Sequence, residues 1–271
     1  MKEFLINCLA VGSYALVSIV LWQRLLHGKA LTGTTRKVIL SLALVAIALH
    51  ALALYLGLRV DDGLNLAFTN AISLVTWAVA VLFLIAALYR PIANLGVVIM
   101  PLAGLAVLIA WVWPGRHIVL PETSTLQSLH IIVSVLAYGL LSLAAVQSLL
   151  LFAQERQLRS RQMAGFMRAL PPLQTMEHLL FQLIGMGFLL LTLTLISGAF
   201  FSEQMFGKPL RFTHHMVLSI FAWVVFAILL LGHWRFGWRG RPAVQWTLGG
   251  FTLLVLAYFG TKFVLEIILG R

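Results

Sequence analysis

The feature that most constrains this chain is a series of long apolar segments separated by short polar ones. Eight segments are long enough to cross a bilayer as a helix, which needs about 20 mostly apolar residues. Barrel strands would instead alternate over roughly ten residues, and no such pattern is present. We predict an all-α, polytopic helical bundle that forms a single transmembrane domain over 1–271. Its spans are expected near 4–22, 37–58, 66–88, 95–113, 129–153, 179–200, 216–234 and 247–268.

The basic residues fall mostly on one side of this arrangement. The loops 23–36, 89–94, 154–178 and 235–246, with their flanks, hold 12 Lys and Arg residues against two acidic ones. The opposite side holds seven against six. Because loops rich in Lys and Arg stay in the cytoplasm, both termini are expected outside, on the opposite side of the membrane.

The net charge of +11 is therefore a topology signal, and no base-reading motif indicates a nucleic-acid partner. The longest inner loop, 154–178, is basic enough to contact anionic headgroups or a membrane or cytosolic protein partner. An ordinary cytoplasmic connection explains it equally well.

The chain has a single cysteine, Cys8, in the first apolar segment. One cysteine forms no internal disulfide, no CxxC redox pair and no CxxCH haem-attachment site. No catalytic nucleophile or general acid–base pair stands out, so we do not expect an enzyme.

Histidines are the polar side chains that stand out in the spans, where polar groups are costly and usually serve a purpose. His50 lies within the second span, and His130 opens the fifth at its outer end. The seventh span carries His214 and His215 at its outer end and His233 at its inner end. Loop or interfacial positions explain the other three, which are His27, His117 and His178.

Helical geometry separates the two adjacent histidines. His215 and His233 are five turns apart and share one helix face, whereas His214 lies about 100° away from that face. A separation of about 27 Å along the axis excludes a shared metal ion. His215 matches His130 in depth, which predicts an outer pair, and His50 with His233 gives a less regular inner pair.

Pairs of imidazoles suit haem held axially, whereas zinc needs three or four ligands, and Glu122 and Glu203 complete no zinc motif. Helix capping or packing is the alternative role for each histidine. Trp77 and Trp223 lie deeper than the interfacial aromatic residues and could line a haem-sized cleft.

Several segments resemble the cytochrome c assembly family of the CcsA/CcmC type. They include "LHIIVSVLAYG", "HHMVLSIFAWVVFAILLLGHWRFGWRG" and "AYFGTKFVLE". The resemblance covers nearly the whole chain and is strongest to the family's YpjD-type branch of small inner-membrane proteins, with HemX-like proteins nearby. It implies haem handling, with His130 as an outer haem ligand and His233 as a membrane histidine. The implied cofactor is non-covalent haem, of type b.

The chain departs from this family at 201–215, "FSEQMFGKPLRFTHH", which has neither the Trp nor the Asp of the family's WWD loop. The outer histidine that larger members carry after the last span is also missing, so His214 or His215 would have to replace it. Two functions remain open. One is a haem-binding or haem-handling membrane protein with His130 and His215 outside and His50 and His233 inside; the other is a membrane regulator or scaffold that has lost the haem site.

Overall fold

The computed structural model describes residues 2–27, 33–60, 63–90, 92–115, 117–119, 125–159, 170–206 and 214–268. Within them, eight helices are long and apolar enough to cross a membrane, which confirms the predicted all-α, eight-span fold. The side of the membrane on which the termini lie stays a prediction. The helices are α1 (Lys2–Leu26), α2 (Gly33–Leu58), α3 (Phe68–Tyr89), α4 (Gly96–Val112), α5 (Thr125–Arg159), α6 (Leu173–Phe206), α7 (His214–Phe236) and α8 (Arg241–Val255).

The chain divides into two compact units. Unit 1 comprises Met1–Pro121 and Ala153–Met176, and unit 2 comprises Glu122–Phe152 and Glu177–Arg271. Each unit is described by itself, and the single domain expected from the sequence stays a prediction.

Unit 1 is built around four helices, in which α1 and α3 each pack against both α2 and α4. Glycines allow these helices to approach closely. A Cβ atom on Gly104 would lie 3.0 Å from Cβ of Tyr14, and one on Gly96 would lie 2.9 Å from Cδ1 of Leu21. Small residues at such contacts are typical of membrane helices, which associate mainly through close packing.

Unit 1 also contains a small antiparallel sheet that the sequence did not predict. Its strands are β1 (Arg59–Val60), β2 (Gly63–Asn65) and β3 (Ile118–Val119), in the order β1-β2-β3. Asn65 holds the connections around it, because its amide accepts hydrogen bonds from the backbone N–H groups of Ala67 and His117 and donates to the carbonyl of Gly115. These bonds satisfy backbone groups that would otherwise lack partners.

Unit 2 contains most of α5 and α6 and the whole of α7 and α8. α7 packs against α8, and the Tyr138 hydroxyl of α5 donates to the Leu254 carbonyl of α8 at 2.9 Å. Gly187 of α6 lies against Leu141 of α5, where an added Cβ would be 2.8 Å from Cγ of the leucine. Beyond Val255, α8 continues through two π-helical segments, Leu256–Gly260 and Phe263–Ile268.

Helices α5 and α6 extend well beyond the predicted span limits. α5 runs to Arg159, where an ion pair of 2.7 Å with Glu155 stabilises a polar last turn that hydropathy alone excludes. α6 starts at Leu173 and ends at Phe206, so the predicted loops 154–178 and 201–215 are partly helical. The remaining parts, 160–169 and 207–213, lie outside the described residues, and the first of them is the middle of the predicted partner-binding loop 154–178.

Candidate functional site

His130 lies in the second turn of α5, where its ring is half-buried against α6 of unit 2. Its Nδ1 atom is 2.7 Å from Oγ of Ser197. The absence of a side chain at Gly198 leaves room for the ring, because a Cβ atom there would stand 3.4 Å from Cε1 of His130. The imidazole is therefore held against its neighbouring helix by a hydrogen bond and by close packing.

His215 lies in the first turn of α7 and is exposed. Its ring meets the ring of Tyr258 edge-on, with centroids 6.0 Å apart. His130 and His215 are close enough to interact electrostatically. The fold thus brings the two predicted outer histidines to one end of unit 2. His214 is also exposed, and no side-chain hydrogen bond or ring contact joins it to another described residue.

Tyr258 belongs to this site although the sequence reasoning assigned it no role. It lies in the π-helical segment Leu256–Gly260, and its ring centroid is 6.0 Å from that of Tyr138. Tyr138 also donates its hydroxyl proton to the Leu254 carbonyl, one turn before Tyr258. π-Helical turns often occur at functional sites because they change the direction in which a helix presents its side chains.

His233 lies near the end of α7, and its Nδ1–H donates to the carbonyl of Trp238 at 2.9 Å. Because a carbonyl can only accept, this bond places the proton on Nδ1 and the lone pair on Nε2. The ring stacks on Phe181 of α6, with centroids 3.4 Å apart. Close by, a carboxylate oxygen of Glu177 accepts from the N–H of Gly240, whose φ of 56° suits glycine.

His50 is completely buried in unit 1, and both of its ring nitrogens are engaged. Nδ1 is 3.0 Å from the Tyr14 hydroxyl, and Nε2 is 2.9 Å from the Ser73 hydroxyl. The three side chains join α1, α2 and α3. Ligation of iron by His50 would require it to release one of these partners. His50 belongs to unit 1 and His233 to unit 2, so the predicted inner pair stays a prediction.

The two deep tryptophans each tie neighbouring helices together. In unit 1, Nε1 of Trp77 donates to the Ile47 carbonyl at 3.1 Å. In unit 2, Nε1 of Trp223 donates to the Thr192 hydroxyl at 2.8 Å, and its ring stacks on Phe188 with centroids 5.3 Å apart. Their predicted role as the lining of one haem cleft stays a prediction.

His27 and His178 make local contacts, whereas the backbone N–H of His117 donates to Asn65. The Nδ1–H of His27 donates to the Gln23 carbonyl at 2.6 Å, and His178 accepts from the Gln182 amide at 3.0 Å. Among the described residues, no group of three or more His, Cys, Asp or Glu side chains is placed to hold a metal ion.

Comparison with known proteins identifies relatives of this chain. Residues 10–269 match the family described as Cytochrome C assembly protein. The chain belongs to this family. It is 34% identical to inner membrane protein YpjD of Escherichia coli K12 over 242 residues, which is 87% of this chain and 89% of that protein.

Two further family relatives are similar over shorter regions. The chain is 24% identical to protein HemX of Brevibacillus brevis over 138 residues, which is 51% of each chain. It is 30% identical to cytochrome c biogenesis protein CcsA of Synechocystis over 88 residues, which is 32% of this chain and 26% of that protein. No solved structure matches the chain.

These findings confirm the family resemblance that the sequence indicated. The chain is a multi-pass inner-membrane protein of the cytochrome c assembly family.

Proposed function

We propose that this cytochrome c assembly family protein binds or hands on non-covalent haem b at the outer end of unit 2, with His130 and His215 as axial ligands. The observation that carries the proposal is geometric: the two imidazoles lie in the first two turns of α5 and α7, and ring contacts with centroids 6.0 Å apart link His215 to Tyr258 and Tyr258 to Tyr138 of α5. Two imidazoles are a common axial ligand set for haem iron.

The residues around the two histidines fit a porphyrin. His130 is held by Ser197 through Nδ1, which leaves Nε2 as the ligating nitrogen, and metal-binding histidines usually have such a second partner. Tyr258 offers an aromatic ring beside His215, and the helices that carry the two histidines, α5 and α7, are apolar. When bound, haem supplies its own iron chemistry, while the protein ligates it and excludes water. We therefore propose a binding or carrier role and not an enzyme.

His233 is the better candidate of the predicted inner pair. Its proton lies on Nδ1 and its ring is stacked on Phe181, so these two contacts fix the direction in which Nε2 points. His50, by contrast, would have to break its hydrogen bond to Tyr14 or Ser73. We propose His233 as a second ligand site within unit 2, and we interpret His50 mainly as a packing residue of unit 1.

The haem content of the purified protein tests the outer site. The wild-type protein, His130→Ala and the control His178→Ala are purified from membranes of haem-replete cells, and haem is extracted and counted per chain. His178 is an exposed histidine whose side chain is hydrogen-bonded to Gln182 of its own helix. We expect His130→Ala to lose most of the haem and His178→Ala to keep it. Equal haem in folded His130→Ala and wild type would refute the outer site.

The second candidate function is a membrane regulator or scaffold. It is favoured by one observation, the absence of Trp and Asp from 201–215, where relatives of the WWD type would present haem. In that case the basic segment 154–178 would contact a membrane or cytosolic protein partner. A wild-type protein that takes up no haem, even when haem is added in excess, would favour this function.

A further inference from the structure

We propose that Ser197 is a positioning residue that sets the tautomer of His130, keeping the proton on Nδ1 and the lone pair on Nε2. The part of this proposal that concerns the tautomer stands on the protein alone. The part that concerns ligand binding rests on the proposed function.

The hydrogen bonds of Ser197 determine where the protons lie. Its Oγ atom is 2.7 Å from the Leu193 carbonyl, 3.1 Å from the Thr194 carbonyl and 2.7 Å from Nδ1 of His130. Carbonyl oxygens only accept, and a hydroxyl has one proton to donate. The serine proton therefore goes to the helix backbone, as is common for serine in helices. The ring nitrogen must then be the donor.

The opposite tautomer would leave the same atoms mismatched. If Nδ1 of His130 carried a lone pair, three acceptors would surround the one proton of Ser197. Either the backbone bond of 2.7 Å to Leu193 would be lost, or two lone pairs would face each other at 2.7 Å. In either case one of the two hydrogen bonds at the Ser197 hydroxyl would be lost. The Nδ1–H tautomer is the one that keeps both.

The same helix contains a second example of this arrangement, in which the direction of the bond is certain. The Thr192 hydroxyl donates to the Phe188 carbonyl at 2.8 Å and accepts from Nε1 of Trp223 at 2.8 Å. An indole nitrogen can only donate. α6 therefore uses a hydroxyl in the same way twice: it donates to the carbonyl four residues earlier and accepts from a ring on a neighbouring helix.

The consequence is that Nε2 of His130 is the nitrogen able to accept a proton or a metal ion. A histidine without such a partner would distribute its proton between both nitrogens and could rotate its ring. Loss of a partner of this kind typically lowers metal affinity by about 10- to 100-fold. Ser197 thus acts on a bound ligand through His130 and need not contact that ligand itself.

Nitrogen NMR of haem-free protein labelled with ¹⁵N-histidine tests the tautomer directly. The protein is held in lipid nanodiscs at a pH where the ring is neutral, and the His130 signals are assigned by their loss in His130→Gln. The variants are Ser197→Ala and Ser197→Thr, which keeps the hydroxyl. The matched control is Ser134→Ala, because that hydroxyl donates to the backbone carbonyl of His130 and not to its ring.

We expect a protonated Nδ1 and an unprotonated Nε2 in the wild type, Ser197→Thr and Ser134→Ala. We expect Ser197→Ala to shift the population toward protonated Nε2. A wild type with the proton on Nε2, or a Ser197→Ala spectrum unchanged from the wild type, would overturn the proposal.

Titration with haem separates the two parts. If the tautomer result holds and affinity falls roughly 10- to 100-fold in Ser197→Ala only, both parts are supported. If the tautomer result holds but no variant, including the wild type, binds haem, the proposed function fails while the role of Ser197 in setting the tautomer stands.

Discussion

Nδ1 of His130 and Oγ of Ser197 lie 2.7 Å apart and join α5 to α6 in unit 2. This bond orients an imidazole near the end of a transmembrane helix through a neighbouring side chain. A histidine that only capped its helix or met lipid headgroups would need no such partner. His215, on α7, lies within electrostatic range of the same ring. The proposed haem site therefore lies at the end of unit 2 that carries His130 and His215.

The adjacent histidines His214 and His215 are expected to differ in their effect on haem binding. His215 contacts Tyr258, whereas His214 lies about 100° further round the helix. We predict that His215→Ala lowers haem content strongly and that His214→Ala leaves it near the wild-type value, as measured by haem extraction per chain. A loss confined to His214→Ala would show that the ligand had been assigned to the wrong histidine.

The buried Tyr14–His50–Ser73 cluster is expected to stabilise unit 1. Tyr14→Phe removes the partner of Nδ1 of the fully buried His50, and we predict a loss of about 1–3 kcal/mol in the free energy of unfolding. Thermal unfolding in detergent measures this as a lowered midpoint. Tyr55→Phe is the matched control, since Tyr55 is exposed on α2, the helix of His50, and its hydroxyl accepts only a surface hydrogen bond from the exposed Arg59 among the described residues. Equal midpoints for both variants would argue against the cluster as a stabilising element.

Close packing of α6 on α5 is expected to exclude a side chain at Gly187. A Cβ atom there would lie 2.8 Å from Cγ of the fully buried Leu141, and overpacking typically costs 1–3 kcal/mol. Gly185 of the same helix has no atom within 4 Å of its added Cβ. We predict that Gly187→Ala lowers the unfolding midpoint and that Gly185→Ala keeps or raises it, because alanine favours helix. The reverse order would contradict this packing.

The two inner histidines, His50 and His233, are expected to differ in their effect on haem binding. His233→Ala should change the amount or the spectrum of bound haem, because Nε2 of His233 is oriented by Trp238 and Phe181. His50→Gln should lower stability and leave the haem spectrum unchanged. Absorption spectra and unfolding midpoints of both variants check this pair of expectations. A haem spectrum that changes only in His50→Gln would reverse the assignment.

The sequence was sufficient to predict the eight spans and to suggest the outer pair of histidines as a hypothesis. A helix that crosses the hydrocarbon core must be apolar over about 20 residues, so eight long apolar segments in the sequence mark the eight helices. The shared depth of His130 and His215 follows from their positions at the ends of two such runs. Which residues meet them does not follow, because contact between helices depends on how each helix is rotated.

Three features were missed for that reason or because they are too short to form a pattern. Ser197 is one hydroxyl in an apolar helix, and only the packing of α6 on α5 gives it a role. The three strands are two or three residues long, which is too short to show alternation. The π-helical turn around Tyr258 leaves no clear mark on the sequence. The sequence prediction made α5 and α6 too short at both ends, because hydropathy windows leave out polar first and last turns.

The absorption spectrum of the purified protein with haem added in slight excess tests the central claim most directly. It is recorded oxidised and then reduced with dithionite, for the wild type, His130→Ala, His215→Ala and the control His178→Ala. We predict a sharp Soret shift with resolved α and β bands, as for iron with two axial imidazoles, in the wild type and the control. Loss of these bands is predicted in each of the other two variants. A wild-type spectrum equal to that of free haem, or bands that persist in both His130→Ala and His215→Ala, would contradict the account.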